Sequence, residues 1–227
     1  MRKALKETIR SLYEAMLKDE KISVLSGQNY CCMAPCVGNK FPEAPNDGIV
    51  IYGRANNGWN TGVDDNYDVI YDKGSEGLTD YIKGNSSPFF RTAGKAFSNF
   101  YGEDWYDHVA YSNLYKVAPP TGNPGAVVCN FQWKYVADMF MREIETFSPK
   151  FVVLFTNEDW GWKFLAHING YVNPQFLLSE SWSKYRIDIY KIGDVYYLLT
   201  EHPQGKAEEE HADAILSVIE NVKEGRL

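Results

Sequence analysis

Hydrophobic residues recur along the chain with two spacings, one typical of helices and one typical of strands. Near the start, apolar residues appear every three or four positions between lysines and glutamates, which predicts an amphipathic helix. These residues are Leu5, Ile9, Leu12, Tyr13, Met16 and Leu17. Further helices are expected at residues 91–100, 133–147, 160–168 and 211–222.

Short apolar runs between these helices are typical of buried strands. They cover residues 48–53, 108–114 and 151–155, whereas residues 186–192 and 195–200 form a predicted hairpin around Gly193 and Asp194. Residues 23–47 and roughly 54–87 lack a clear period, so we expect loops there. Strands that alternate with helices indicate an α/β fold. We predict one domain over residues 1–227, with three layers (α/β/α) and a mainly parallel central sheet.

Polar segments follow three of the predicted strands. They occupy residues 53–59, 113–125 and 202–206. In a parallel sheet, ligands bind beyond the carboxyl ends of the strands. We therefore expect these three segments to meet at one edge and to form a binding site.

Composition narrows the classes of function. The chain has 30 acidic and 23 basic residues and therefore a net charge of −7. This charge disfavours a dedicated duplex-DNA binder but is compatible with a local basic patch. The longest strand-like apolar run, at 151–155, is far too short to span a bilayer, and the first residues are charged rather than typical of a secretion signal. We expect a cytoplasmic protein that does not bind membranes.

The four cysteines raise the question of a metal site. Cys31, Cys32 and Cys36 form a cluster, and Cys129 is remote in sequence. The cluster lacks a Cys-x-x-Cys pair, so buried free thiols are favoured over a four-cysteine metal site. We expect no metal and no cofactor. The sequence also lacks a phosphate-binding P-loop, a His-Glu-x-x-His pair and a Ser-His-Asp arrangement.

Four short segments form an ordered series of motifs along the chain. They are Ile-Val-Ile-Tyr-Gly-Arg-Ala at 49–55, Ser-Pro-Phe-Phe-Arg-Thr-Ala-Gly at 87–94, Tyr-Ser-Asn-Leu-Tyr-Lys-Val-Ala-Pro-Pro at 111–120 and Thr-Glu-His-Pro at 200–203. This series resembles the motifs of the uracil-DNA glycosylase superfamily, especially its divergent bacterial branches, over residues 49–205. The resemblance implies that superfamily's fold. It also implies a base-excision glycosylase that acts on DNA and hydrolyses the N-glycosidic bond of uracil or another deaminated base.

The resemblance further implies roles for individual residues. Phe89 would stack on a flipped base, Asn113 would bind its polar edge, and His202 would donate a hydrogen bond to the carbonyl oxygen of the departing base. Gly53 and Arg54 of the first motif are also candidate substrate contacts, and the chemistry of Arg54 suits a phosphate or a carboxylate ligand. Each residue also has a structural explanation: core packing for Phe89, a turn cap for Asn113, a loop contact for His202 and an ion pair for Arg54.

The chain departs from the family pattern where a catalytic group is expected. Arg54 stands where the family has a residue that positions water, and the first-motif proline is absent. Asn56 is our candidate for the missing catalytic role beside His202, with Asn57, Asp64 and Asp65 as further choices; the segment Asn56-Asn57-Gly58 is either an ordinary turn or a backbone anion nest.

Two expectations follow from these departures. Val117 occupies the position of a cluster-ligating cysteine in the iron–sulfur branch, so we expect no iron–sulfur cluster. Because Arg54 can neither accept a proton nor favour a sugar cation, we expect slow excision. The alternative is a non-catalytic protein that uses the same fold to bind a nucleobase, a nucleotide or a nucleic acid.

Overall fold

Helices and strands alternate along the chain in the computed structural model, which describes residues 1–56, 58–84 and 87–227. The helices are α1 (Arg2–Lys18), α2 (Glu20–Ser23), α3 (Tyr67–Gly84), α4 (Pro88–Tyr101), α5 (Ala126–Phe147), α6 (Glu158–Ile168) and α7 (Glu208–Lys223), with a 3₁₀ helix at Gly102–Asp107. The strands are β1 (Cys31–Cys32), β2 (Cys36–Val37), β3 (Ile49–Ala55), β4 (Val109–Tyr115), β5 (Val117–Ala118), β6 (Phe151–Phe155), β7 (Gln175–Trp182), β8 (Tyr185–Ile192) and β9 (Val195–Thr200).

The main sheet has a parallel centre and antiparallel edges. Within the described residues it contains seven strands in the order β2-β4-β3-β6-β9-β8-β7. The central strands β4, β3, β6 and β9 are mutually parallel, as the sequence predicted for these segments. However, β2 runs antiparallel to β4, β8 to β9 and β7 to β8. The prediction of a mainly parallel sheet is therefore wrong, because parallel and antiparallel pairings are equally frequent.

Two strands of the main sheet that the sequence analysis missed, β2 and β7, account for two of the three antiparallel pairings, and the third pairing, β8 with β9, is the predicted hairpin. Strand β2 contains only two residues, too few to show an alternating pattern. Strand β7 lies at the sheet edge, where solvent reaches the side chains, and Phe176 is 53% exposed. An edge strand of this kind has no single buried face, so its residues do not alternate between polar and apolar.

Helix α3 overturns the expectation of a loop over residues 54–87. Tyr67, Ile70 and Tyr71 are buried and spaced as on one helical face. The hydroxyl groups of Tyr67 and Tyr71 donate to the backbone oxygens of Lys6 (2.7 Å) and Arg2 (2.8 Å) on α1. Packing against α1 therefore holds this segment helical despite its polar composition.

Successive residues of the central strands contribute to two separate hydrophobic clusters. Val50 and Tyr52 of β3 belong to one cluster, together with buried residues of α1, α5 and α6. Ile49 and Ile51 belong to the other, together with buried residues of α4 and α7. This is the alternation expected of strands buried on both faces. In the described part of the chain, no helix has the length and apolar character needed to cross a bilayer.

A buried ion pair ties the end of β4 to α5. Lys116 and Glu143 are 1% and 0% exposed at their side chains, and Nζ of Lys116 lies 2.8 Å from Oε1 of Glu143. The same ammonium group donates to Oγ of Ser112 (2.7 Å) and to the backbone oxygen of Asn113 (2.6 Å). The hydroxyl group of Tyr52 donates to Oε2 of Glu143 (2.8 Å). The network therefore joins β3, β4 and α5 beneath the sheet edge.

We predict that breaking this pair from one side destabilises the protein strongly. Lys116→Met leaves Glu143 as an uncompensated buried charge, which costs about 3–5 kcal/mol of unfolding free energy. The double variant Lys116→Met/Glu143→Leu removes both charges and is expected to regain most of that loss. Urea unfolding measures both values.

The exposed pair Arg142–Glu145 provides the matched control. Arg142→Met is expected to cost less than about 1 kcal/mol, because solvent screens exposed pairs. Equal losses in Lys116→Met and in the double variant would contradict the assignment of the cost to an unpaired charge.

Candidate functional site

A cavity of about 370 Å³ lies at the carboxyl ends of the parallel strands. Its lining residues are Gly53, Arg54, Ala55, Ser87, Pro88, Phe89, Phe90, Tyr111, Asn113, Gly122, Asn123, His202 and Gln204. The structure thus brings together five of the six residues singled out from the sequence: Gly53, Arg54, Phe89, Asn113 and His202. Parallel strands end at the same edge, which is why loops distant in sequence meet here.

Asn113 is held rigidly at the wall of the cavity. It is 1% exposed and pairs in register with Gly53 on β3. Its Oδ1 accepts a hydrogen bond from the Tyr111 hydroxyl (3.3 Å), and its Nδ2 donates to the Met33 sulfur (3.0 Å). A Cβ atom at position 53 would lie 2.4 Å from Asn113 Oδ1, so only glycine leaves room for this amide.

Phe89 lies in the first turn of α4, not in the loop that we predicted ahead of a helix at residue 91. The helix begins at Pro88 because Ser87 caps it and proline suits the first helical position. Phe89 is 7% exposed, and its ring packs edge-to-face against Tyr111 and Phe155, at centroid distances of 5.5 and 5.1 Å. The ring is therefore both a core residue and a rigid part of the cavity wall.

His202 offers a neutral hydrogen-bond donor to the cavity. Its Nδ1 accepts the backbone N–H of Gln204 (3.3 Å), and this bond assigns the remaining proton to Nε2. Burial, together with the smaller effects of the positive charges of Arg54 and Lys206, lowers the pKa of His202 to about 4. At neutral pH the ring therefore carries one proton and no charge.

Arg54 approaches the cavity from the other side of the sheet edge. Its Nε donates to the backbone oxygen of Thr156 (2.8 Å), and its guanidinium group lies 5.7 Å from the ring centroid of Trp160. Burial lowers the pKa of Arg54, but a guanidinium stays charged at neutral pH. No aspartate or glutamate occurs among the described lining residues. The cavity therefore presents a cation where the family resemblance implies a water-positioning group.

The structure does not place Asn56 on the described lining of the cavity. It is 3% exposed, and neither polar atom of its amide has a hydrogen-bond partner among the described residues. Asp64 and Asp65 are bonded to nearby loop groups, Ser26 and Gly27 for the first and Gly62 for the second. Asn57 lies outside the described residues. The catalytic role of Asn56 stays a prediction.

Sequence reasoning missed other residues that line the cavity. Tyr111 is the most informative, because its hydroxyl group orients the amide of Asn113. It precedes Asn113 by two positions on one strand, and such residues share a face. That spacing was a usable signal. Asn123 and Gln204 lie in loops where no periodicity could have singled them out.

The four cysteines are buried free thiols. Burial raises the pKa of both Cys32 and Cys36 to about 12, so these thiols stay protonated at neutral pH. The Cys36 thiol donates to the backbone oxygen of Gly74 (3.0 Å). Within the part of the chain that the structure describes, no three histidine, cysteine or acidic side chains gather as metal ligands do.

Comparison of the chain with protein-family models and with curated proteins finds no match. Its function must therefore be inferred from the cavity and from the chemistry of the residues that line it.

We predict that His202 titrates near pH 4, far below the ordinary histidine value of 6.5. Following the ring proton signals by NMR between pH 3 and 8 measures this midpoint. A midpoint between pH 6 and 7 would contradict the neutral, buried ring.

The same shift links folding to pH. Because the folded-state pKa lies below the unfolded value, the contribution of His202 to stability is full above about pH 6.5 and is lost as the pH falls through 4. In the His202→Gln variant, the free energy of unfolding is therefore expected to fall less between pH 6.5 and pH 4 than it does in the wild-type protein.

Proposed function

We propose that the protein is a uracil-DNA glycosylase-like protein whose cavity binds uracil or another deaminated base. The proposed architecture is that superfamily's three-layer α/β/α fold. The alternation of strand residues between two hydrophobic clusters supports it, with α1, α5 and α6 on one side and α4 and α7 on the other.

The observation that carries the proposal is the joint presence of Phe89, Asn113 and His202 on one cavity. An aromatic ring provides a stacking surface for a planar base. An asparagine amide offers a donor and an acceptor side by side, which suits the imide edge of uracil. The Nε2 proton of His202 offers one further donor to a carbonyl oxygen.

The orientation of the Asn113 amide favours a deaminated base. The Tyr111 hydroxyl donates to Oδ1, and the close approach of Gly53 fixes the plane of the amide. A fixed donor and acceptor suit an imide edge, whereas cytosine presents these two groups in the reverse order. Rotation of the amide to suit cytosine would turn the Tyr111 hydroxyl from a donor into an acceptor and would lose the Nδ2–H bond to Met33.

The proposed chemistry is hydrolysis of the N-glycosidic bond. The base departs with negative charge on a carbonyl oxygen, which the neutral His202 ring stabilises by donating a hydrogen bond. The sugar acquires positive charge, and here the described lining supplies the Arg54 cation instead of a carboxylate. Loss of one well-placed electrostatic group slows a reaction by about 10²–10³-fold. We therefore propose slow excision.

One observation favours a second candidate function. The described cavity lining has a cation and no carboxylate, an arrangement that retains recognition of a base while weakening hydrolysis. The same site then serves a non-catalytic protein that binds a nucleobase, a nucleotide or a nucleic acid.

We predict slow single-turnover release of uracil from a single-stranded oligonucleotide, at least about 100-fold slower than by a dedicated glycosylase in the same assay. Asn113→Ala and His202→Ala are each expected to reduce the remaining rate by at least about tenfold, because each removes a hydrogen bond to the base. Asn56→Ala tests the catalytic role of Asn56 in parallel.

Asn99→Ala is the matched control, since Asn99 is exposed on α4. Fast excision by the wild-type protein would contradict the effect assigned to Arg54. No excision, combined with base binding that depends on Asn113, would establish the second function. If the wild-type protein neither excises uracil nor binds the base, both candidate functions are rejected.

A further inference from the structure

We infer that Arg54 and Lys163 bind the phosphate groups of a nucleotide ligand, along a path that leads from the base cavity into a second, adjoining cavity. This inference rests on the proposed function, because it assumes that the base of the same ligand occupies the first cavity. The inference adds to the proposed function the chemical class of the ligand, which is a nucleotide rather than a free base.

The second cavity has a volume of about 280 Å³, and two links between lining residues place it beside the first. On one side, a single loop supplies Asn123 to the first cavity and Pro124 to the second. On the other side, the Arg54 guanidinium packs on Trp160, and Trp160 lines the second cavity. Arg54 therefore stands at the boundary between the two.

Arg54 can reach an anionic group that projects away from the base. Successive strand residues point to opposite faces, so Arg54 projects from the face opposite to Gly53, which packs beside Asn113 and Phe89. Only Nε of the guanidinium is used within the described protein, in the bond to Thr156. Its two NH₂ groups remain available for a phosphate, which arginine binds through paired hydrogen bonds.

Lys163 provides a second cation beyond Trp160. Its Nζ lies 4.1 Å from the ring centroid of Trp133 and 5.0 Å from that of Tyr115, and these rings fix its position. Among the described residues, it forms no hydrogen bond or ion pair, although Asp159 lines the same cavity. The three ammonium protons are thus free to bind an anion.

Other cations near the first cavity are already paired. Arg91 binds Glu208 on α7, and Lys206 lies 3.6 Å from Glu201 and donates to the backbone oxygen of His202. Among the described residues Arg54 and Lys163 form no ion pair, although the negative charges of Glu201 and Asp159 act on Arg54. In a chain with a net charge of −7, two such cations at neighbouring cavities point to an anionic ligand. Beside a site for a nucleobase, that anion is a nucleotide phosphate.

Calorimetric titration with deoxyuridine and with deoxyuridine 5′-monophosphate tests the role of Arg54. The wild-type protein is expected to bind the monophosphate about 10- to 100-fold more tightly, which is the usual strength of charge-assisted hydrogen bonds. Arg54→Gln should reduce this preference, the ratio of the two affinities measured on the same variant, to within about twofold, whereas Arg54→Lys should keep part of it.

Arg142→Gln is the matched charge control. Arg142 lies about 24 Å along α5 from Ala126, a residue that lines the second cavity, at 1.5 Å per residue, and it is paired with Glu145. It should leave both affinities unchanged. No preference for the monophosphate in the wild-type protein, or an undiminished preference in Arg54→Gln, would overturn the inference.

A labelled single-stranded oligonucleotide with one deoxyuridine tests Lys163 and the source of the phosphate. If a DNA strand is the ligand, Lys163→Gln should weaken the binding of the oligonucleotide at least about fivefold. The variant should also lower the slope of log affinity against log salt concentration by about 0.7, which is the value for one phosphate contact in a single strand. If a free nucleotide is the ligand, Lys163→Gln should instead weaken binding of deoxyuridine 5′-diphosphate. An effect on neither ligand would overturn the role of Lys163.

These results separate the inference from the proposed function. If deoxyuridine binds in an Asn113-dependent manner but its phosphate adds nothing, only the inference fails. If neither the nucleoside nor the nucleotide binds, both fail together.

Discussion

The buried ammonium group of Lys116 donates to the backbone oxygen of Asn113, and the position of this residue, which we propose binds the base, depends on that contact. A charge so deeply buried is tolerated only because Glu143 neutralises it and Tyr52 and Ser112 complete the hydrogen bonds. The network fixes the end of β4 relative to β3 and α5. The amide at the tip of that strand is therefore held in place before any ligand arrives, which lowers the entropy cost of binding.

In the proposed function, electrostatics separates base recognition from hydrolysis at this site. His202 is kept neutral by burial and by the nearby charges of Arg54 and Lys206, so it can donate a hydrogen bond to a base at neutral pH. The same positive charges disfavour a sugar cation, which is why we assign the cavity stronger binding than chemistry. In the proposed function, the presence of Arg54 instead of the residue expected from the family resemblance both weakens hydrolysis and supplies a group suited to phosphate.

The sequence predicted the parts of the fold that local pattern determines. The run at 151–155 coincides with β6, and the convergence of three loops followed from parallel strands. Helix α3 and strand β7 were missed, because α3 is held by packing against α1 and β7 is solvated at the sheet edge. The bond from the Asn113 amide to Met33 was also beyond prediction, since Met33 lies 80 positions away along the chain.

The central claim is that a fixed Asn113 amide selects the imide edge of a base. Calorimetric titration of the wild-type protein with free uracil and free cytosine tests it most directly, because neither sugar nor phosphate contributes. We predict that uracil binds at least about tenfold more tightly than cytosine, since a mismatched edge leaves buried polar groups unpaired. We also predict that Asn113→Ala abolishes the difference. Equal affinity for the two bases, or a preference that survives Asn113→Ala, would contradict the account.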